Sequence, residues 1–264
     1  MLLSQYNFLP LSQNQDVEMK PLYIANWKMN MSFRKSIDFC LNNLEQLQIL
    51  TSNAEIVLCP SFVALEPIEQ ILKNSPIKIG AQNCSEYETG SYTGEVSAQS
   101  LAEVGATYCF VGHSERRIYF GETTEAIIKK VNLLLQNNIR PIICIGETEE
   151  HFQAKATVTV LTEQLKPILE NISAQDSHLI IAYEPVWSIG TDVIPEQSYL
   201  EEVFAWIKKI IESHAPGCSP QLLYGGSVNE KNIAQLKNIP HLGGFLIGNA
   251  STNFEQFSGI LTHY

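Results

Sequence analysis

Three things are scarce in this sequence. Paired cysteines are one. The six cysteines, Cys40, Cys59, Cys84, Cys109, Cys144 and Cys218, include no CxxC spacing, and several sit inside apolar runs such as "EIVLCP", "TYCFVG" and "PIICIG". There a thiol behaves as a small hydrophobe. Reduced thiols of a cytoplasmic protein are expected, not disulfides or a zinc site. Positive charge is the second. Lys and Arg number 17 against 28 Asp and Glu, a formal net charge of -11, which repels nucleic acid and anionic membrane. The basic doublets Arg116-Arg117, Lys129-Lys130 and Lys208-Lys209 read as a salt-bridged loop and solvated helix faces. Long apolar runs are the third: none approaches the ~20 residues that span a bilayer. The start, "MLLSQYNFLPLSQNQDVEMK", has no basic leading region, and Ser, Gln and Asn interrupt its apolar residues, so it makes a poor secretory signal. Residues 1–18 are expected to be an extension outside the fold, with Met19 an alternative start. The remainder, 19–264, suits one large domain, since 45% hydrophobic residues in a 264-residue chain can bury a sizeable core.

What is present is a recurring pattern. Short apolar runs end in small or polar residues: "LYIAN" (22–26), "IVLCP" (56–60), "IKIGAQ" (77–82), "YCFVG" (108–112), "PIICIG" (141–146), "LIIAYE" (179–184), "LLYGG" (222–226) and "GFLIG" (244–248). They are nearly continuous rather than alternating, as strands buried on both faces are. Helical spacing lies between them. Ile127, Val131, Leu134 and Leu135 share one face of 123–138; Tyr199, Val203, Ile207 and Ile210 share one face of 196–213, behind a Pro195-Glu196 start. Strand–helix alternation implies right-handed βαβ units and a parallel sheet. Eight units in roughly 250 residues is the arithmetic of a (β/α)8 barrel. A doubly wound sheet is the alternative, but "NWKMN" follows the first strand where a dinucleotide site needs a Gly-rich turn.

In such a barrel the carboxyl ends of all eight strands open onto one face. Asn26 and Lys28 follow the first strand, His113 the fourth, Glu147 the fifth; Glu184 ends the sixth; "YGGSV" follows the seventh and "GNAS" the eighth. Taken singly, Lys28 is a solvated charge and His113 a hydrogen-bonded structural histidine. Glu115 and Glu147 are ion-pair partners for Lys28, Arg116 or Arg117, and Gly225-Gly226 is a turn. Taken together at one face, Lys28, His113 and Glu184 read as functional.

The same residues carry a resemblance. From about Lys20 onward the chain resembles the triosephosphate isomerase family, through "NWKMN" (26–30), "GAQN" (80–83), "YTGEVSA" (92–98), "VGHSERR" (111–117), "CIGE" (144–147), "AYEPVWSIGT" (182–191), "YGGSV" (224–228) and "GFLIG" (244–248), in family order and spacing. The resemblance implies a single-domain TIM barrel. It also implies an isomerase that interconverts dihydroxyacetone phosphate and glyceraldehyde 3-phosphate by proton transfer, without metal or cofactor. Glu184 matches the base, with a carboxyl raised in pKa by its water-poor position. His113 matches a neutral imidazole electrophile, and Lys28 the fixed positive charge. Asn26 positions Lys28 and contacts substrate, and Glu115 supports Lys28. "PVWSIGT" matches a mobile lid that brings the Gly190 amide onto the phosphate. Ser227, Gly248 and Asn249 supply further donors.

Three positions depart from the family pattern: Asn249 and Asp192 stand where glycine is usual, and Gly243 where aspartate is. Asn249 is expected to tolerate left-handed backbone. The segment 83–97, polar yet rich in tyrosine, implies a homodimer in which it enters the neighbouring subunit, Thr93 supporting the partner's catalytic groups and Glu95 taking part in loop or interface hydrogen bonding. Two other readings stay open: an isomerase of another sugar phosphate, and a phosphate-binding barrel without catalysis.

Overall fold

The computed structural model describes residues 20–172, 179–191 and 193–263. The extension expected at 1–18, the alternative start Met19 and the departure at Asp192 lie outside the described residues. Eight parallel strands, β1 Leu22–Asn26, β2 Glu55–Cys59, β3 Lys78–Ala81, β4 Tyr108–Val111, β5 Arg140–Ile145, β6 Ile180–Tyr183, β7 Gln221–Tyr224 and β8 Leu242–Ile247, close into a barrel in sequence order. The register around the closure pairs Leu22 with Glu55 on one side and with Gly244 on the other. The helices are α1 Phe33–Leu50, α2 Phe62–Leu72, α3 Ala98–Glu103, α4 Ser114–Phe120, α5 Thr124–Gln136, α6 Glu149–Gln153, α7 Thr157–Leu169, α8 Gln197–His214, α9 Ile233–Leu236 and α10 Phe254–Thr262. Each expected strand is found, the first with the bounds expected and the others with ends moved by one or two residues.

Strand residues alternate between two buried layers, which is why the runs look continuous. Leu22, Ile24, Val57, Cys59, Tyr108, Phe110, Ile142, Cys144, Ile180, Ala182, Leu223 and Leu246 fill the barrel interior. Their neighbours, among them Tyr23, Ala25, Ile56, Leu58 and Ile181, pack outward against the helices. Burying such side chains is worth roughly 1.5–3 kcal/mol each. The two-residue period has a functional consequence. Continuing Leu22 and Ile24 by parity brings Asn26 inward at the mouth, and continuing Ile180 and Ala182 brings Glu184 inward.

Helix starts follow side-chain caps. Ser32 accepts from the Lys35 N–H and Thr123 from the Ala126 N–H. The apolar face of α5 buries Ile127, Val131 and Leu134 as expected, but Lys130 does not lie on a solvated face. It is buried, in contact with the buried Glu122 carboxylate, and donates to Asn83 Oδ1 at 2.9 Å. Arg117 likewise departs from the salt-bridge reading: it donates to the carbonyls of Gly112 and Cys144, at 2.8 and 3.3 Å, tying the ends of β4 and β5. Helical period alone cannot tell a lysine on the rim of a buried face from one in water. All six cysteines are free and buried, and no described helix is long and apolar enough to cross a membrane.

Candidate active site

The eight expected site residues, Asn26, Lys28, His113, Glu184, Gly190, Ser227, Gly248 and Asn249, all line one cavity of about 870 Å³ at the carboxyl end of the barrel. On the β1 side, the Asn26 side chain accepts the Lys28 N–H at 3.1 Å. Lys28 holds a left-handed backbone, φ 48°, costly for a residue with a Cβ and sustained only where the surroundings enforce it. Gln82 does so. Its amide nitrogen donates to the carbonyls of Lys28 and Cys59, at 2.8 and 2.9 Å. Gln82 lies within "GAQN", yet nothing in the spacing signalled this role. The Lys28 ammonium, so aimed, meets Glu115 Oε1 at 2.7 Å.

His113 sits at the turn from β4 into α4. Its Nδ1 accepts the Glu115 N–H at 3.2 Å, so in the neutral ring the proton is on Nε2. That nitrogen lies 3.2 Å from Glu184 Oε1. The pair is buried, with Lys28 nearby. Burial pushes the Glu184 carboxyl up, but the hydrogen-bonded His113 ring, and then Lys28, draw it below the ordinary carboxylate value. The expectation of a raised Glu184 is therefore corrected for this arrangement: desolvation is the largest single influence, but the imidazole, Lys28 and the Cys144 thiol together outweigh it. His113 moves the other way. Burial pushes it down and Lys28 opposes its charge, yet the Glu184 carboxylate carries it above 6.5.

Glycines make room for Glu184. A Cβ on Gly225 would stand 2.8 Å from Glu184 Cγ, and one on Gly146 would stand 1.8 Å from the Glu184 carbonyl oxygen. The Gly225-Gly226 pair is thus more than a turn.

Beyond Glu184, Pro185 leads into a 3-10 turn, Val186–Ser188. Glu147 is not an ion-pair partner as the sequence suggested. It is fully buried, and its Oε1 receives Trp187 Nε1 at 2.8 Å, the Tyr183 hydroxyl at 3.0 Å and the Tyr199 hydroxyl at 3.1 Å. Tyr199 packs against the core from α8 as expected, half-buried, and turns its hydroxyl to this carboxylate.

The β7–β8 side is built from backbone. Asn232 Nδ2 donates to the Ser227 carbonyl at 3.0 Å, and Ser251 donates to the Gly248 carbonyl through its N–H, 2.9 Å, and its hydroxyl, 2.6 Å. Among the described residues, the N–H groups of Gly190, Ser227, Gly248 and Asn249 have no acceptor. Such a set suits an anion. Asn249 opens a 3-10 turn, Asn249–Thr252, and does not have positive φ. The tolerance for left-handed backbone expected of it is not needed. At Gly243 the Gln221 side chain occupies the space, donating to the Gly243 carbonyl at 2.9 Å.

Residues 21–264 match the family model described as triosephosphate isomerase. The chain is similar to the triosephosphate isomerase of Coxiella burnetii, 41% identical over 91% of this chain and 96% of the relative. It is similar to that of Alkaliphilus oremlandii, 37% identical over 92% and 98%, and to that of Aquifex aeolicus, 38% identical over 92% and 99%.

Proposed function

The chain belongs to the triosephosphate isomerase family and interconverts dihydroxyacetone phosphate and glyceraldehyde 3-phosphate; from that premise we propose that Glu184, His113 and Lys28 carry the reaction. Glu184 takes the proton from C1 of dihydroxyacetone phosphate. The C–H pair becomes the C1=C2 bond, and the carbonyl pair moves onto the C2 oxygen. The Nε2–H of His113 and the Lys28 ammonium stabilise that oxygen, in a cavity where water is scarce and fixed charges count for more. Return of the proton at C2, with passage of the C1 hydroxyl proton to the C2 oxygen by way of the His113 ring nitrogen, leaves the aldehyde and a C2 hydroxyl. The observation that carries this reading is the Nε2–Oε1 contact of 3.2 Å, beside Lys28 and with Nδ1 occupied by an amide. A substrate oxygen that takes the Nε2–H removes from Glu184 the partner that holds it low. Burial is then left to raise the carboxyl toward the range a general base needs.

Gly190, Ser227, Gly248 and Asn249 hold the phosphate through their N–H groups, and the lid from Pro185 to Thr191 swings Gly190 into place. Substrate exposed to deuterated water and the enzyme takes up carbon-bound deuterium. Unimpaired exchange by Glu184→Ala sinks the assignment of the base.

The protein acts as a homodimer in the cytoplasm. The free, buried cysteines suit a reducing compartment. Large apolar side chains stand out from the segments after β1, β2 and β4: Met29, 94% exposed beside Lys28, then Phe62 and Val63 at the start of α2 and Tyr119 and Phe120 at the end of α4. Between them projects 83–97, stiffened by the stacked rings of Tyr87 and Tyr92, 3.8 Å apart. An apolar rim with an aromatic prong fits a second copy of the chain. Light scattering at micromolar concentration gives twice the chain mass; a fully active monomer there defeats this assignment.

A further inference from the structure

The lid rests on a surface that the reaction does not use. The Trp187 ring lies on the ring of Phe152, centroids 4.3 Å apart and planes 24° from parallel. Tyr199 closes the bracket, its ring edge-on to Phe152 at 5.3 Å and 6.5 Å from Trp187. Phe152 belongs to α6, a five-residue helix after β5, an element with no part in the chemistry. Trp187 sits in the rigid 3-10 turn three residues before Gly190, so a lid that carries Gly190 onto a phosphate drags the indole with it. The two contacts of Trp187 respond differently. Glu147 Oε1 keeps both tyrosine hydroxyls when the indole nitrogen leaves, while Oε2 is already without a partner among the described residues. Phe152 has no replacement for the indole face and gains exposure to water.

From this geometry we infer that Phe152 is a positioning residue of the lid: its stack with Trp187 holds the lid back and thereby sets how tightly the phosphate is held. A stacked aromatic pair is worth about 0.5–1.5 kcal/mol beyond burial. Removing the stack weakens only the resting state, and the population shifts toward the phosphate-bound lid.

The inference rests on the reading that the lid closes on phosphate, and the experiment separates the two. Competitive inhibition by inorganic phosphate is measured on the full chain and on Phe152→Leu and Phe152→Tyr. Absence of phosphate competition in the parent chain overturns the phosphate reading, and this inference with it. With competition present, Phe152→Leu lowers the inhibition constant and KM together, by about two- to tenfold. Phe152→Tyr, which keeps the ring, stays within about twofold of the parent. An inhibition constant unchanged or raised in a folded Phe152→Leu overturns the inference. A second measurement needs no folded leucine variant. In the parent chain labelled with 5-fluorotryptophan, the Trp187 resonance, assigned through Trp187→Phe, shifts on saturation with phosphate as the indole leaves the Phe152 face; a resonance that stays in place overturns the inference.

Discussion

The two sides of the barrel mouth are built by different rules. From β1 to β4 the mouth is lined by side chains, each tied to another, and Glu184 at the end of β6 reaches across to join them at His113. Asn26 holds the Lys28 backbone, Gln82 the Lys28 carbonyl, Glu115 the Lys28 ammonium, and the Glu115 amide the His113 ring. From the turn after Pro185 to β8, what faces the cavity is backbone N–H from Gly190, Ser227, Gly248 and Asn249. Side chains such as Asn232 and Ser251 only shape the turns. The difference follows from what each side must do. The proposed proton transfer needs a base and a hydrogen-bond donor held at fixed distance, which only particular side chains supply. A phosphate accepts an N–H from any residue whose backbone points the right way. On the proposed assignment, the first side is expected to lose activity on any change of residue, and the second to keep it wherever its turns are kept.

The sharpest test of that contrast is Glu184→Asp. It shortens the reach of the carboxylate by one methylene without altering the charge. Turnover falls about 100-fold or more, because small misplacements of a reacting group cost that much. KM stays within a few-fold, since the phosphate side is untouched. Steady-state kinetics with glyceraldehyde 3-phosphate read both numbers. Turnover within tenfold of the parent breaks the claim that this side depends on exact reach.

The same contrast explains what could be read from the sequence. The barrel was legible because strands buried on both faces leave unbroken apolar runs, and parity then brings Asn26 and Glu184 inward. Lys28, His113 and Glu184 were legible because charged groups at strand ends are costly there without a purpose. Gln82 and Glu147 were not. Gln82 acts through two backbone carbonyls that no residue pattern announces, and Glu147 through three donors drawn from β6, the lid and α8. Lys130 was misread because its partner Glu122 lies eight residues earlier, outside helical spacing. The Gly225 space for Glu184 was invisible because two glycines look alike whether they serve a turn or a neighbour's Cγ.

On the phosphate side the expected effects are smaller. Asn249→Gly leaves turnover unchanged and shifts the inorganic phosphate inhibition constant by no more than about threefold, in the direction of tighter binding. The backbone of Asn249 already has negative φ, so glycine relieves no strain and gives up only a side chain. A tenfold loss of phosphate affinity would show that the Asn249 amide is itself a ligand, and that this side too reads side chains.

The smallest expected effect concerns the contact between two buried members of the side-chain side, His113 with Glu184, and it appears as a dependence of stability on pH. His113 is raised above 6.5 in the folded chain, so its contribution is complete below that value and is lost as pH rises through the folded one. Glu184 is lowered below 4.5, so its contribution is complete above 4.5 and is lost as pH falls through the folded value. The pair therefore stabilises the chain most between those two limits and declines on either side. His113→Gln keeps a donor of similar reach but cannot be charged, and it removes the alkaline decline. The melting temperature of the parent minus that of His113→Gln should be largest near pH 6 and should shrink toward pH 9. The difference is readable because ~1 kcal/mol moves the melting temperature by about 2–4 °C in a chain of this size. If the difference is flat from pH 6 to 9, His113 is neutral throughout. The amide on its Nδ1 would then outweigh the Glu184 carboxylate, and the imidazole would be as fixed in its protonation as the rest of the β1–β4 side is in its hydrogen bonds.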